Sequence, residues 1–349
     1  MSYSIIQADL KEHRNEIISL WKRNFQGVPE ERYSWIYENN PSGETLCFLL
    51  RHDENDSIVG AASLFPRRIL INGVYVNAAI GGDFAIDKKH RSLGQGLSLI
   101  KSFISTCEGE QFDLLYGFSN ENSEPVTMKA GYVVLGEVIQ MTTLLKSYHH
   151  IKKYINLPLI ASATSSIIDS FILFRLIINY KKIKGLYSFE ILSSFDDRFD
   201  DLWKKISNQF SFIGERTGSF LSWRFKESPY NKYDIFTLTS KDHHNIYGYI
   251  IFTVHEKRAQ ISDIGFLNDN KILDVLLNIF FRYQRQQGIE SIAMSIGADP
   301  VLINQINKNG FSIRNRRGKI VIYISSKSSL SLQDVKKGNW YITSGDNDV

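Results

Sequence analysis

The segment Phe84-Ala-Ile-Asp-Lys-Lys-His-Arg-Ser-Leu-Gly-Gln-Gly96 decides how this chain is read. The residues before it, from Ile80 to Ile86, are apolar apart from Asp83 and predict a strand. Arg91-Ser-Leu-Gly94-Gln-Gly96 reads as a tight turn. From Leu97, apolar residues recur at 97, 100, 103 and 104, the spacing of one helical face. A strand, a glycine turn and a helix N-terminus in that order make an anion site. Glycine lets backbone approach a phosphate, and the first free N–H groups and the positive helix end face it. No Gly-Lys-Ser/Thr follows, which excludes the phosphate loop of nucleotide hydrolases. The third glycine of the dinucleotide fingerprint is missing as well.

A chain of 349 residues predicts two domains, and 43% apolar with 13% aromatic content supplies packed cores. The net charge of +4 suits anionic small ligands and lacks the strongly basic footprint of a nucleic-acid binder. Cys47 and Cys107 have no metal spacing and read as reduced core thiols. No metal is expected. Met1-Ser-Tyr-Ser-Ile-Ile-Gln7 lacks the regions of a secretory signal, so the expected location is cytoplasmic.

The two halves repeat. Ser34-Trp-Ile-Tyr-Glu-Asn-Asn-Pro41 matches Ser222-Trp-Arg-Phe-Lys-Glu-Ser-Pro229, and Ile58-Val-Gly60 matches Ile246-Tyr-Gly248, both 188 residues apart. Leu20-Trp-Lys-Arg23 resembles Leu202-Trp-Lys-Lys205, and Lys129-Ala-Gly-Tyr132 resembles Lys308-Asn-Gly-Phe311. Four anchors in one order predict two copies of one fold. The second copy carries Asn-Asp-Asn-Lys-Ile-Leu at 268–273 where the first has its glycine turn. One lobe is therefore expected to bind a phosphate ligand and the other to have lost that ability. Trp35, Trp223, Pro41 and Pro229 recur in both copies and are expected to serve the fold.

The predicted organisation is a first lobe at 1–146, a linker at 147–186, a degenerate second lobe at 187–330 and a tail at 331–349. Residues 155–180 are long and apolar, but Asp169, Arg175 and several Ser/Thr interrupt them. No stable membrane span is expected. The segment is read as a connecting helix buried against both lobes. The tail carries Trp340 and Tyr341 and is expected to dock, with Asp346, Asp348 or the terminal carboxylate as groups able to reach a cleft.

The order of strand, Arg91-x-x-Gly94-x-Gly96 turn, helix, second strand and Lys-x-Gly-aromatic resembles the GCN5-related N-acetyltransferase (GNAT) superfamily. The resemblance covers the first lobe well and the second only through the repeat. It implies an α/β fold with mixed sheets in each of two tandem lobes. It implies coenzyme A, as an acyl-CoA co-substrate, on Arg91, Ser92, Leu93, Gly94, Gln95 and Gly96. The pantetheine arm is expected along Phe84, Ala85 and Ile86, where strands splay apart, with Asn120 and Asn122 as further contacts. The tyrosine acid common in this superfamily is replaced by Thr127. The two-lobed layout is similar to enzymes of bacterial surface-polysaccharide pathways, such as lipopolysaccharide O-antigen biosynthesis. That likeness implies transfer of an acetyl or short hydroxyacyl group to the amine of a nucleotide-linked (dTDP-) amino-deoxysugar. An aminoglycoside, polyamine or lysine acceptor, or a non-catalytic acyl-CoA-binding module, are the alternatives.

Acylation needs a group to take a proton from the attacking amine. Asp83, a carboxylate in an apolar strand, is the first candidate, because buried acids are paired or used. Tyr116 and Glu124 are further proton handlers. Gly81-Gly82 beside Asp83 predicts a bulge whose N–H could serve an oxyanion. Arg224, facing Ile36 in the repeat, is a candidate for a nucleotide diphosphate. Glu215, Arg216 and Tyr230 complete the substrate set. Oligomeric state is open.

Overall fold

The structure, a computed structural model, describes residues 2–183, 185–269, 271–336 and 338–347. In the first lobe the order is β1 (Tyr3–Gln7), α1 (Arg14–Asn24), a π-helical turn (Tyr33–Glu38), β2 (Leu46–His52), β3 (Ser57–Ile71), β4 (Val74–Ile86), α2 (Leu93–Glu108), β5 (Leu114–Ser119), α3 (Glu124–Lys129) and β6 (Val133–Leu144). The linker forms α4 (Tyr148–Ile151) and α5 (Pro158–Ile183). The second lobe runs β7 (Ser188–Leu192), α6 (Asp197–Ile206), β8 (Phe212–Gly214), α7 (Gly218–Leu221), a π-helical turn (Ser222–Lys226), β9 (Asp234–Thr239), β10 (Ile246–His255), β11 (Arg258–Phe266), α8 (Ile272–Gln286), β12 (Ser291–Ala298), α9 (Pro300–Lys308) and β13 (Ser312–Ile324). The tail adds α10 (Leu332–Lys336), β14 (Trp340–Thr343) and a 3₁₀ turn (Ser344–Asp346).

The repeat is visible element by element, from α1 and α6 to β6 and β13. Its centre is the Trp35–Trp223 pair. Each indole N–H donates to the other tryptophan's backbone carbonyl, at 2.7 and 3.0 Å, and the rings stack with centroids 5.3 Å apart. Reciprocal contacts between equivalent residues mark a pseudo-two-fold axis. Both tryptophans lie in π-helical turns.

The lobes do not close on themselves. The main sheet runs β1-β2-β3-β4-β5-β13-β6-β12-β11-β10-β9-β7. Each lobe's last strand pairs with the other lobe: β13 is antiparallel to β5, with Ile322 opposite Tyr116, and β6 is antiparallel to β12, with Met141 opposite Met294. The sequence-contiguous units 1–146 and 187–330 therefore exchange their closing strands, and the sheet runs unbroken from one to the other.

The tail is built into this sheet. β14 is antiparallel to β12 and parallel to β8, which in turn pairs with β3. In the second lobe the parallel pairing of β11 with β12 ends at Ile261 opposite Met294. β14 takes up the pairing of β12 from Ile296 to Ala298, and the Tyr341 hydroxyl donates to the Ile264 carbonyl on β11. The tail thus fills the gap between those two strands. Trp340 lies against Gly136 and Gly297, where a Cβ would come within 2.4 and 2.9 Å of its ring. Glycine at those two positions makes room for the indole.

The linker departs from expectation. α5 touches the second lobe along one stripe, through the Leu176 carbonyl to Asn278 and Arg175 to the Lys308 carbonyl. Only 17% of its apolar window is buried, and by length and composition it could cross a membrane. It is not a helix buried against both lobes.

Candidate active site

β4 and β5 run parallel and pair at three positions, the last being Ile80 opposite Tyr116. Beyond that point they part. Gly81, Gly82 and Phe84 line one wall of the resulting cavity, and Gly117, Phe118 and Ser119 line the other. Ile100 and Phe103 of α2, with Val126 and Thr127 of α3, close it. The walls are mainly apolar, which suits an alkyl arm with few polar groups. The β3–β4 register shifts between Ala61 and Ser63, and Asp83 takes φ 49°. This is a β-bulge in β4 beside the cavity, and a bulge leaves an amide outside the ladder.

The N-terminus of α2 opens next to this cavity. Ser92 is extended and makes no side-chain cap, and the first intrahelical bond runs from the Gly96 amide to the Ser92 carbonyl at 3.1 Å. Among the described residues the amides of Leu93, Gly94 and Gln95 meet no acceptor. A Cβ at Gly94 would meet only Ser92 Oγ, at 3.7 Å. The free chain therefore does not require glycine there. Its benefit is an uncovered amide for an incoming anion. Arg91 braces this turn: its Nε donates to the Ile86 carbonyl at 3.0 Å and its Nη2 to Asn24 Oδ1 at 3.3 Å. Ala85 and Ile86 pair with β3 at Ala61 and Gly60. Asn120 Oδ1 accepts from the amides of Asn122 and Ser123, so it shapes the turn into α3, and Asn122 is exposed.

The three proton-handling candidates fare differently. The Asp83 carboxylate accepts from Arg32 at 2.5 Å and from the Tyr37 hydroxyl at 2.8 Å, and it does not line the cavity. The second lobe repeats the motif with Asp263, held by Tyr249 at 2.7 Å and Arg216 at 3.2 Å. A buried acid present in both lobes, one of them without the glycine turn, serves the fold. Glu124 is paired with Lys319 of β13. Tyr116 lies where the strands part; its hydroxyl donates to the Asp346 carbonyl at 2.9 Å. Burial pushes this phenol well up, and the neighbouring Arg67 charge offsets that only in part. It stays protonated near neutral pH, and its one O–H is engaged by the Asp346 carbonyl.

The substrate candidates on the second lobe are largely committed to the tail. Arg224 Nε donates to the Gly345 carbonyl at 3.0 Å and Nη2 to the Asn347 carbonyl at 3.2 Å. Arg216 is buried and binds Asp263, Thr343 and Asp346. Burial alone would disfavour its charge, but the two carboxylates outweigh this. Glu215 accepts from Thr217 at 3.0 Å and from Arg68 at 3.4 Å. Tyr230 packs edge-on against Trp35. These contacts correct the expectation that Arg224 stands ready for a diphosphate and that Arg216 faces the substrate. Asp346 is inside the fold; Asp348 and Val349 lie outside the described residues.

Sequence reasoning passed over Arg67. It is 5% exposed, and its guanidinium lies 4.9 Å from the Phe220 ring and 5.2 Å from the Trp223 ring. Its Nε and Nη1 have no partner among the described residues, while Nη2 reaches the Asn347 carbonyl at 3.4 Å. Nothing in Pro66-Arg67-Arg68 signals this, because the setting comes from the other lobe. Arg32 holds Asp83 in the first lobe as Arg216 holds Asp263 in the second.

Among the described residues no group of three His, Cys, Asp or Glu is arranged to hold a metal. Both cysteines are buried, and burial pushes each thiol up to about 12. We expect no reaction with a disulfide reagent near neutral pH until denaturant is added, as thiol titration will show. The sign for stability follows. The unfolded thiols ionise near 9.0 and the folded ones near 12, so this contribution is full below 9 and falls as pH rises toward 12.

Residues 6–134 match the family model described as the acetyltransferase (GNAT) domain. That match falls within the first lobe, the one with the glycine turn, and spans less than half of the chain. Solved structures share the fold across both lobes. A probable N-acyltransferase of Enterococcus faecalis has a TM-score of 0.67 at 14% identity, covering 93% of this chain and 73% of that one. A GCN5-related N-acetyltransferase of Anabaena variabilis has 0.65 at 13%, with the same coverage. Saccharomyces cerevisiae N-myristoyltransferase, solved with myristoyl-CoA, has 0.57 at 11%, covering 97% and 85%. No curated protein matches the chain by sequence.

Proposed function

We propose that the first lobe transfers an acetyl or short hydroxyacyl group from acyl-coenzyme A to the amine of a nucleotide-linked amino-deoxysugar of the dTDP type, in the cytoplasm. The observation that carries the donor half is the open cavity between β4 and β5 beside the uncapped start of α2. The pyrophosphate belongs at the amides of Leu93, Gly94 and Gln95, and the pantetheine arm belongs between the parted strands. The tail fills the corresponding gap in the second lobe, which supports one donor site per chain. Arg67, rather than Arg224, is the cation with donors to spare for an anionic acceptor.

In the reaction a neutral amine attacks the thioester carbonyl. A C–N bond forms, the C–S bond breaks, the nitrogen gives up one proton to water, and the thiolate takes one. The bulged β4 offers a backbone N–H to the oxyanion. Tyr116 is the proton donor we favour, and positioning supplies much of the remaining rate. Tyr116→Phe is expected to lower kcat on the order of 10²-fold, with little change in donor KM. The comparison is a steady-state thiol-release assay, and an unchanged kcat removes the role.

The acceptor is tested by thiol release with acetyl-CoA and a hydroxyacyl-CoA against dTDP- and UDP-amino sugars, an aminoglycoside, a polyamine and a lysine peptide. Release with the nucleotide sugars alone is the expected outcome. Turnover of a polycation only would reassign the acceptor. Donor binding without release by any amine would leave a binding module, and no donor binding would sink the reading.

A further inference from the structure

We propose that the outward face of α5 docks on an anionic lipid bilayer, with the helix lying in the plane of the surface. The helix has two opposite stripes. Ala161, Ser165, Asp169, Ile172, Leu176 and Tyr180 recur at helical spacing and face the protein, each buried or half-buried. Asp169 accepts from the Ser147 amide at 2.8 Å, and Tyr180 carries the Arg282 guanidinium 4.1 Å from its ring. The opposite stripe is Ile160, Ala163, Ile167, Phe171, Phe174 and Ile178, and all six are exposed. Phe171 is 71% exposed and Phe174 is 62% exposed. An unbroken exposed apolar row of this kind marks an interaction surface.

Charge selects the occupant. Residues 146–184 hold seven Lys/Arg and one Asp, a net +6, whereas the whole chain carries +4 and everything else nets −2. Lysines flank the helix in the sequence, at 146, 152 and 153 and again at 181, 182 and 184. A segment of net +6 repels a second copy of itself, whereas an anionic surface attracts it. Tyr154, exposed beside the helix start, adds an aromatic suited to the headgroup region. The serine hydroxyls on the flank are spent inside the helix, with Ser166 bonded to the Ser162 carbonyl and Ser170 to the Ser166 carbonyl. A span is disfavoured because it would strip the inner stripe from the second lobe and carry Asp169 and Arg175 into hydrocarbon.

The test is co-sedimentation of the full chain with vesicles of phosphatidylcholine alone or mixed with phosphatidylglycerol. Binding to the mixed vesicles, weakened by salt, with little to the neutral ones, is the expected result. Phe171→Ser with Phe174→Ser, and separately Lys152→Glu with Lys153→Glu, should each reduce binding by roughly tenfold or more. These side chains are exposed, so thiol release should stay unchanged and report a folded first lobe. Wild-type protein that stays in solution with the mixed vesicles overturns the proposal. So does binding unaffected by the paired phenylalanine changes. A dimer in light scattering that those same changes split would assign the stripe to self-association instead.

Discussion

Asp83→Asn should unfold more readily than the wild type, by about 3 kcal/mol, because a buried ion pair loses its negative partner. Arg32 is 3% exposed and would keep its charge in a site water cannot reach. The rings of Trp21 and Phe65, 5.2 and 5.7 Å from its guanidinium, soften the loss and set the expectation at the lower end for such pairs. Urea denaturation followed by tryptophan fluorescence is the measurement. Thiol release per folded molecule should stay within a few-fold of wild type. The reverse pattern, intact stability with turnover down by 10² or more, would restore Asp83 as the base. Replacing both partners by apolar residues of similar size should recover most of the stability, since the pair's desolvation cost disappears with it.

Ending the chain after Asn339 is the second large perturbation. It removes β14, empties the space Trp340 holds between Gly136 and Gly297, and takes Asp346 from Arg216. Loss of a buried tryptophan alone costs about 3–5 kcal/mol. The truncated chain should melt well below the full one by calorimetry. If enough folds to assay, donor binding should survive, because the α2 turn lies in the first lobe away from the tail. Turnover should fall, because the Tyr116 hydroxyl loses the Asp346 carbonyl that orients it. Gly136→Val offers a milder version, crowding the Trp340 ring without shortening the chain. Full stability and full turnover after truncation would mean that the tail is an ornament on the sheet.

The glycine turn and the uncapped helix start were legible because they are local. Arg91 to Gly96, the strand before it and the helix after it lie within one short stretch, and their backbone geometry follows from the residues themselves. The settings of the buried arginines and of Asp83 were not. Arg224 looked free because its partners, the carbonyls of Gly345 and Asn347, are about 120 residues further along the chain. Arg67 looked unremarkable because Phe220 and Trp223 come from the other lobe. Asp83 was recognised as a buried acid in need of a partner, yet Arg32 and Tyr37 lie far from it in sequence, so structure and catalysis could not be told apart.

By itself the sequence determined the repeat, the order of strand, glycine turn and helix in the first lobe, and the loss of that turn in the second. Those follow from periodicity and local backbone preference. Tertiary structure alone decided that β6 joins β12 while β13 joins β5. Alternation of side chains sets which face of a strand is buried, and two closing strands of one ancestry meet that condition equally on either lobe. The same holds for α5. Its composition made it apolar, but only packing against the second lobe determined which stripe was covered and which was left facing out.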